Sequence, residues 1–330
     1  MGRWRPRAPE AGQAQEIDVP FLPVGGQAVL EGVMMRSPSK VAVTVRRGDG
    51  SLATMERPFS SLTRRYRILG IPVLRGAVSL FETLYLGISA LNFSAEEATK
   101  DGAPAPGEKS SSLPGAAQML TVVLSLGLGV LLFVVLPARL TAWLGFTDRI
   151  AFGLVDGLFR LLAFLTYLVL ISQWREMARV LGYHGAEHKA IHALENRAPL
   201  TPESVQKFSR FHPRCGTTFL FLVVVVSIVA FTFIGRPRGL GDHLLRVACM
   251  PLIAGVAFEF IRLSGKYSDR PLVRALVWPG VQFQRLTTRE PDLSMCEVAI
   301  SALERVRNDE QVLALEREGA AARAEVAFIQ

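Results

Sequence analysis

The chain has 330 residues, half of them hydrophobic, and carries a net charge of +8 from 37 lysines and arginines against 29 acidic residues. That length admits two ordinary soluble domains, but the apolar residues fall in long blocks that point instead to membrane spans. Three widely spaced cysteines, Cys215, Cys249 and Cys296, exclude a disulfide framework.

Residues 1–20 are polar and basic, lack the apolar core of a secretory signal, and are expected to be disordered. Residues 21–98 read as a small β-unit followed by a helix. GQAVLEGVMM is apolar with few helix signals. KVAVTVRR and SLATMERP are β-favouring runs on either side of Gly48-Asp49-Gly50, which predicts a hairpin. The apolar run Val73–Ala95 follows Pro72 but contains Arg75, Glu82 and Asn92, so it is expected to form an amphipathic or re-entrant helix at the membrane surface. Residues 99–115, rich in Gly, Pro and Ser, are a predicted linker.

Residues 116–264 hold four blocks long and apolar enough to span a bilayer: about Ala117–Leu136, Ala151–Gln173, Thr217–Ile234 and Leu244–Ile261. Asp156 and Arg160, four residues apart in the second block, are expected to pair. The loop 175–216 carries Arg175, Arg179, Lys189, Arg197, Lys207, Arg210 and Arg214, and the tail 265–330 is also basic, while the two alternate loops are short and hold few charges. The positive-inside rule therefore puts that loop and both termini in the cytoplasm. In a membrane protein this bias also accounts for the positive net charge, and no specific nucleic acid is expected as a partner. In the tail, Val298, Ile300, Leu303 and Val306 mark the apolar side of a helix, and the last residues are expected to be loosely held.

The loop contains YHGAEHKAIH, with His184, His188 and His192 at intervals of four and Glu187 before the second. The second span is expected to continue as one helix into this segment. On a helix His188 lies about 40° from His184, and His192 about 80°, so the first two imidazoles can face one metal ion. The pattern H-x-x-E-H is the inverted form of a zinc-protease signature, with Glu187 placed to act on a metal-bound water. FHPRCG adds His212 and Cys215 at a spacing that suits a ligand pair, and imidazole with thiolate suits Zn²⁺. The competing reading is an interfacial helix whose histidines hydrogen-bond lipid headgroups or loops. Glu259, near the end of the fourth block, needs either a partner such as Arg262 or a ligand role. His243, in the predicted outer loop, reads as a cap or interface residue, with Asp242 at a helix start.

GGQAVLEGVMMR, YHGAEHKAIHALE, SRFHPRCGTTFL, PGVQFQRLTTREPD and EVAISALE, in this order over about Gly25–Leu303, resemble the bacterial YqhQ-like membrane family. The resemblance implies a multi-pass protein of the bacterial cytoplasmic (inner) membrane and a metal-dependent enzyme. The residues matching a metal-and-base pattern are His184, Glu187 and His188. The soluble inverted zinc proteases add a glutamate ligand from a following helix, for which Glu195, Glu203 and Glu259 are candidates here.

The predicted fold is mainly α: a polytopic membrane protein with about four transmembrane helices, a small cytoplasmic β-unit and an amphipathic or re-entrant helix. The expected function is a metal-dependent hydrolase at the cytoplasmic membrane interface. It would use a divalent metal, Zn²⁺ by ligand type, held among His184, His188, His212, Cys215 and Glu259, with Glu187 as catalytic base. A membrane peptide or a lipid is the expected substrate class. The alternative is a membrane scaffold or assembly factor that binds a protein or ribonucleoprotein partner, with a structural metal or none.

Overall fold

The computed structural model describes residues 24–99, 115–196, 198–212, 215–266 and 270–307. The expectations for residues 1–20, for most of the linker and for the end of the tail lie outside this set.

Four antiparallel strands form a meander: β1 (Gly25–Val29), β2 (Gly32–Arg36), β3 (Lys40–Arg46) and β4 (Leu52–Pro58). The hairpin around Gly48-Asp49-Gly50 joins β3 to β4, with Arg46 opposite Leu52. A second hairpin joins β1 to β2 through Leu30 and Glu31, where Glu31 adopts a positive φ of 51°. Successive side chains point to opposite faces of a strand, and here both faces are covered. Val33, Met35 and Ala42 enter one core, while Val29, Met34, Val41, Val43 and Val45 enter another. Two-sided burial is why these strands read as continuous apolar runs rather than as an alternating pattern.

The helices are α1 (Leu62–Arg65), α2 (Leu74–Thr99), α3 (Gly115–Val130), α4 (Leu136–Trp143), α5 (Arg149–Ser172), α6 (Arg175–Glu195), α7 (Pro202–Val205), α8 (Gly216–Ile234), α9 (Leu240–Ala248), α10 (Met250–Lys266), α11 (Pro271–Thr287) and α12 (residues 293–307). Among the described residues five helical stretches are long and apolar enough to cross a membrane: Leu74–Ala98, Met119–Trp143, Arg149–Ser172, Gly216–Ile234 and Leu240–Ser264. The last four are the spans expected from the sequence.

The first, α2, is the least apolar of the five. The sheet packs on its second half through Leu86, Ala90 and Phe93, and Arg47 Nε donates to Glu97 at 2.6 Å. Near its start, Arg75 pairs with Glu259 of α10. The chain between β4 and α2 runs back along the helix, since Ser61 Oγ and the Leu62 N–H donate to Glu82 at 2.9 and 2.6 Å. Those bonds offset the cost of placing Glu82 among apolar residues. Parity bears on whether α2 crosses. The sheet, which precedes α2, contacts α6, which follows α5, so both lie on one side of the membrane. The α3–α4 unit and α5 already make two crossings between them, and a third would separate the sheet from α6. An α2 that does not cross, the amphipathic or re-entrant helix expected from the sequence, is the arrangement that would keep them together. A cysteine placed at Ser51 and another at Glu304 are therefore expected to show the same accessibility to a membrane-impermeant thiol reagent in intact cells. Labelling of one without the other would mean that α2 crosses.

Inside the bundle, Asp156 of α5 is buried with Arg160 and with Arg246 of α9, each arginine 3.2 Å from Asp156 Oδ2. The pairing of Asp156 with Arg160 was legible in the sequence, and Arg246 is an addition to it. Residues Leu131–Val135 form a π-helical turn between α3 and α4. Arg160 donates to the carbonyls of Phe133 and Val134 in this turn, and Arg246 to that of Gly235. Both guanidinium groups also lie over the Phe231 ring, at 4.6 and 4.9 Å from its centroid.

The expectation of one continuous helix from the second span into the histidine segment is corrected. The helix breaks after Ser172, and Trp174 is extended, at φ −73° and ψ 138°, as the N-cap of α6. The Arg289 guanidinium donates to the Ser172 carbonyl, which the break leaves without a helical partner. The break lets α6 take its own direction, between the sheet and α12. There Tyr183, Ala186, Ala190 and Ile191 pack with Val33 and Met35 on one side and with Val298, Leu303 and Val306 on the other. The apolar side of α12 is thus the one its spacing predicted.

Candidate metal centre

His184 and His188 sit one turn apart on α6, with ring centroids 4.5 Å from each other. Each ring is fixed from behind by a backbone carbonyl. His184 Nδ1 is 2.7 Å from the Thr287 oxygen at the end of α11, and His188 Nδ1 is 2.6 Å from the Arg210 oxygen. A carbonyl only accepts, so both Nδ1 atoms carry the proton and both Nε2 atoms are left as lone-pair donors. His184 Nε2 lies 3.3 Å from Cys215 Sγ. One donor atom from each of His184, His188 and Cys215 falls within 4.8 Å of the other two.

Cys215 is the N-cap of α8, and its Sγ accepts the Thr217 N–H at 3.3 Å. Burial works to raise the thiol pKa, but the hydrogen bond and charge of His188 and the bonds from Thr217 outweigh it, so the pKa is lowered. Burial lowers the His188 pKa, with the hydrogen bond and charge of Cys215 opposing. Both effects favour the ligand forms of these groups.

Glu187 is 4% exposed, and its Oε2 has no hydrogen-bond partner. Its carboxyl is pushed from 4.5 up to about 8 by burial and by the nearby Cys215, against the opposing pull of His184 and the Gly26 N–H. A Cβ at Gly26 would come within 2.9 Å of the Glu187 side chain, so glycine is needed for β1 to close over the carboxyl. At Gly185 a Cβ would meet the Arg289 carbonyl at 2.1 Å, and glycine is what lets the end of α11 approach α6 closely enough for Thr287 to hold His184.

These shifts fix a pH dependence in metal-free protein. Glu187 ionises near 4.5 when unfolded and near 8 when folded, so the folded state binds the extra proton between those values. Its contribution to stability is therefore fully present below 4.5 and is lost as pH rises through about 8. Thermal unfolding of chelator-treated protein should show Tm falling over that window, and Glu187→Gln should flatten the fall. A Tm equally steep in the variant would remove Glu187 as its cause.

A second group lies beside the first. Donor atoms of His192, Glu195 and His212 are also within 4.8 Å of one another, with His212 Nε2 3.5 Å from Glu195 Oε2. Burial lowers His212 to about 4. The structure thus brings together His184, His188, Cys215 and Glu187, but places His212 in the neighbouring group. Gln284 accounts for this. It accepts from the His212 N–H at 2.8 Å and donates to its carbonyl at 2.7 Å, which fixes the loop ahead of α8. Glu259 joins neither group. It is held by Arg75 and by the Val73 N–H, so both its expected ligand role and its expected pairing with Arg262 give way to Arg75.

The residues at this site fit a divalent metal. Two oriented imidazoles, a thiol drawn toward thiolate and a buried carboxyl with an unused oxygen are the donor chemistry of a zinc centre. Gly26, Thr287, Arg210 and Gln284 were given no role from the sequence. Three of them act through backbone groups, which leave no side-chain signal.

The family described as "Protein of unknown function (DUF1385)" matches residues 71–309. The "Uncharacterized protein YqhQ" of Bacillus subtilis (strain 168) is 34% identical over 289 residues, covering 84% of this chain and 90% of that protein. No solved structure matches. With a match over most of its length to one family and to a full-length relative, the chain belongs to the DUF1385 family.

Proposed function

We propose that this protein is a metal-dependent hydrolase that works at the cytoplasmic face of the bacterial cytoplasmic membrane. The observation that carries this reading is the buried, unpartnered Oε2 of Glu187 beside the donor atoms of His184, His188 and Cys215. A structural centre needs no spare carboxyl, whereas a hydrolytic one needs a base next to the metal. A divalent metal held by the three residues supplies Lewis acidity and an acidified water. The protein's own groups do the rest. Thr287 and Arg210 lock the imidazole tautomers, and the Gly26 N–H orients Glu187. With a bound cation's charge beside it to draw the carboxyl down from its metal-free value, Glu187 would take the proton of the attacking water and return it to the leaving group. The excess of basic residues in the loop 175–216 supports the cytoplasmic assignment.

The test is Glu187→Gln in full-length, detergent-purified protein, with bound metal measured by mass spectrometry and hydrolysis followed on a panel of membrane peptides and lipid esters. The variant should keep its metal and lose about 10²–10⁴-fold in turnover. Undiminished turnover with metal bound, or wild-type protein that carries no metal after gentle purification, would rule out the hydrolase and favour a scaffold role.

A further inference from the structure

A cavity of about 770 Å³ opens onto the site, with Glu187, His188 and Cys215 in one wall. Arginines from four different elements line it: Arg36 of β2, Arg64 of α1, Arg75 of α2 and Arg262 of α10. Glu187 is the one carboxylate among the described lining residues. Arg75 is already neutralised by Glu259. Arg36 is different. It is half-buried, its guanidinium lies 4.6 Å from the Phe59 ring centroid, and that guanidinium makes no hydrogen bond among the described residues. The Glu82 carboxylate acts on it only through space and is itself bonded by Ser61 and the Leu62 N–H. Holding a desolvated cation without a bonded counter-charge costs stability and calls for a compensating ligand. Apolar side chains, Phe59, Leu86 and Phe258, share the same cavity. Phe59 directly follows β4, Leu86 lies on α2 and Phe258 on α10.

From the arginines and the apolar wall together we propose that the cavity takes a lipid bearing a phosphate group, with Arg36 as its principal anchor and the phosphate next to the His184–His188–Cys215 cluster. Guanidinium groups match phosphate oxygens in pairs, and the phenyl and leucyl side chains suit the first part of an acyl or prenyl chain. The volume is in the range that holds a headgroup and such a stem. This inference rests on the hydrolase reading for its chemistry, which is phosphoester hydrolysis. The water oxygen bonds to phosphorus, the ester P–O bond breaks, and the proton taken by Glu187 passes to the departing alcohol oxygen.

Binding is tested apart from chemistry, by calorimetry on detergent-purified full-length Glu187→Gln protein. The probes are dioctanoyl phosphatidic acid, dioctanoylglycerol and inorganic phosphate. The phosphatidic acid should bind, the uncharged diglyceride should not, and inorganic phosphate should bind more weakly. Arg36→Gln should weaken phosphatidic acid binding about tenfold or more, while Arg36→Lys, which keeps the charge, should recover part of the loss. Unchanged binding in Arg36→Gln overturns the proposal, as does equal binding of the diglyceride. Inorganic phosphate binding as tightly as the lipid would overturn the lipid assignment. The two readings fail separately. Arg36-dependent lipid binding by protein that holds no metal would sink the hydrolase and leave the phosphate pocket. Metal-dependent turnover of a neutral ester, with no dependence on Arg36, would do the reverse.

Discussion

His188→Ala is expected to purify with little or no metal, while His192→Ala keeps most of it. His188 offers its Nε2 to the cluster because Nδ1 is tied to the Arg210 carbonyl, and its removal leaves two donors, His184 and Cys215. Loss of a hydrogen-bond partner to a ligand costs about 10–100-fold in metal affinity, and loss of the ligand itself costs more. Cys215→Ser should fall as far as His188→Ala where the metal is thiophilic, since a hydroxyl is a poor substitute for thiolate. His192 faces Glu195 and His212, and its Nε2 is bonded to the Phe211 carbonyl at 2.9 Å, so it contributes to the neighbouring group. Metal content per chain and apparent affinity, measured by competition with a chelating dye, decide the order. If His192→Ala empties the protein and His188→Ala does not, the centre lies with His192, Glu195 and His212 instead.

Asp156→Asn is expected to be the most destabilising single change in the membrane domain, by about 3–5 kcal/mol. The substitution keeps the shape of the side chain and removes the negative charge that two buried arginines share. Arg246 is fully buried and Arg160 is 4% exposed, so neither can turn to solvent. Their remaining partners are carbonyls of the π-helical turn and of Gly235, together with the face of Phe231. These accept hydrogen bonds but supply no formal charge. Thermal unfolding in detergent should show a large drop in midpoint. Adding Arg246→Met to Asp156→Asn should recover part of it, because one unpaired cation is then removed. A midpoint within a degree of wild type for Asp156→Asn would show that the carbonyls and the ring alone satisfy the two arginines.

The length and spacing of apolar runs and the Gly48-Asp49-Gly50 turn are local properties, and they alone determined the four spans, the β3–β4 hairpin and the apolar side of α12. Helical phase likewise determined that His184 and His188 share a face with Glu187 nearby. What the sequence could not decide was what closes on that face. Cys215 was read as a possible ligand from its H-x-x-C spacing with His212, yet the fold pairs it with His184 and His188 and turns His212 toward Glu195. That choice depends on Gln284, 72 residues beyond His212, in a helix whose central Pro279 and Gly280 hid it from a reading by propensity. The partners of Glu259 and Glu187 are equally remote: Arg75 lies 184 residues from Glu259, and the Gly26 N–H is a backbone group in the first strand. The break at Trp174 belongs to the same class, because α6 is oriented by burial between the sheet and α12 and not by any local stop signal. Short-range periodicity is written in side-chain order, but the charge partners, backbone donors and close approaches that complete a site come from segments far apart in the chain, and only the packed structure brings them together.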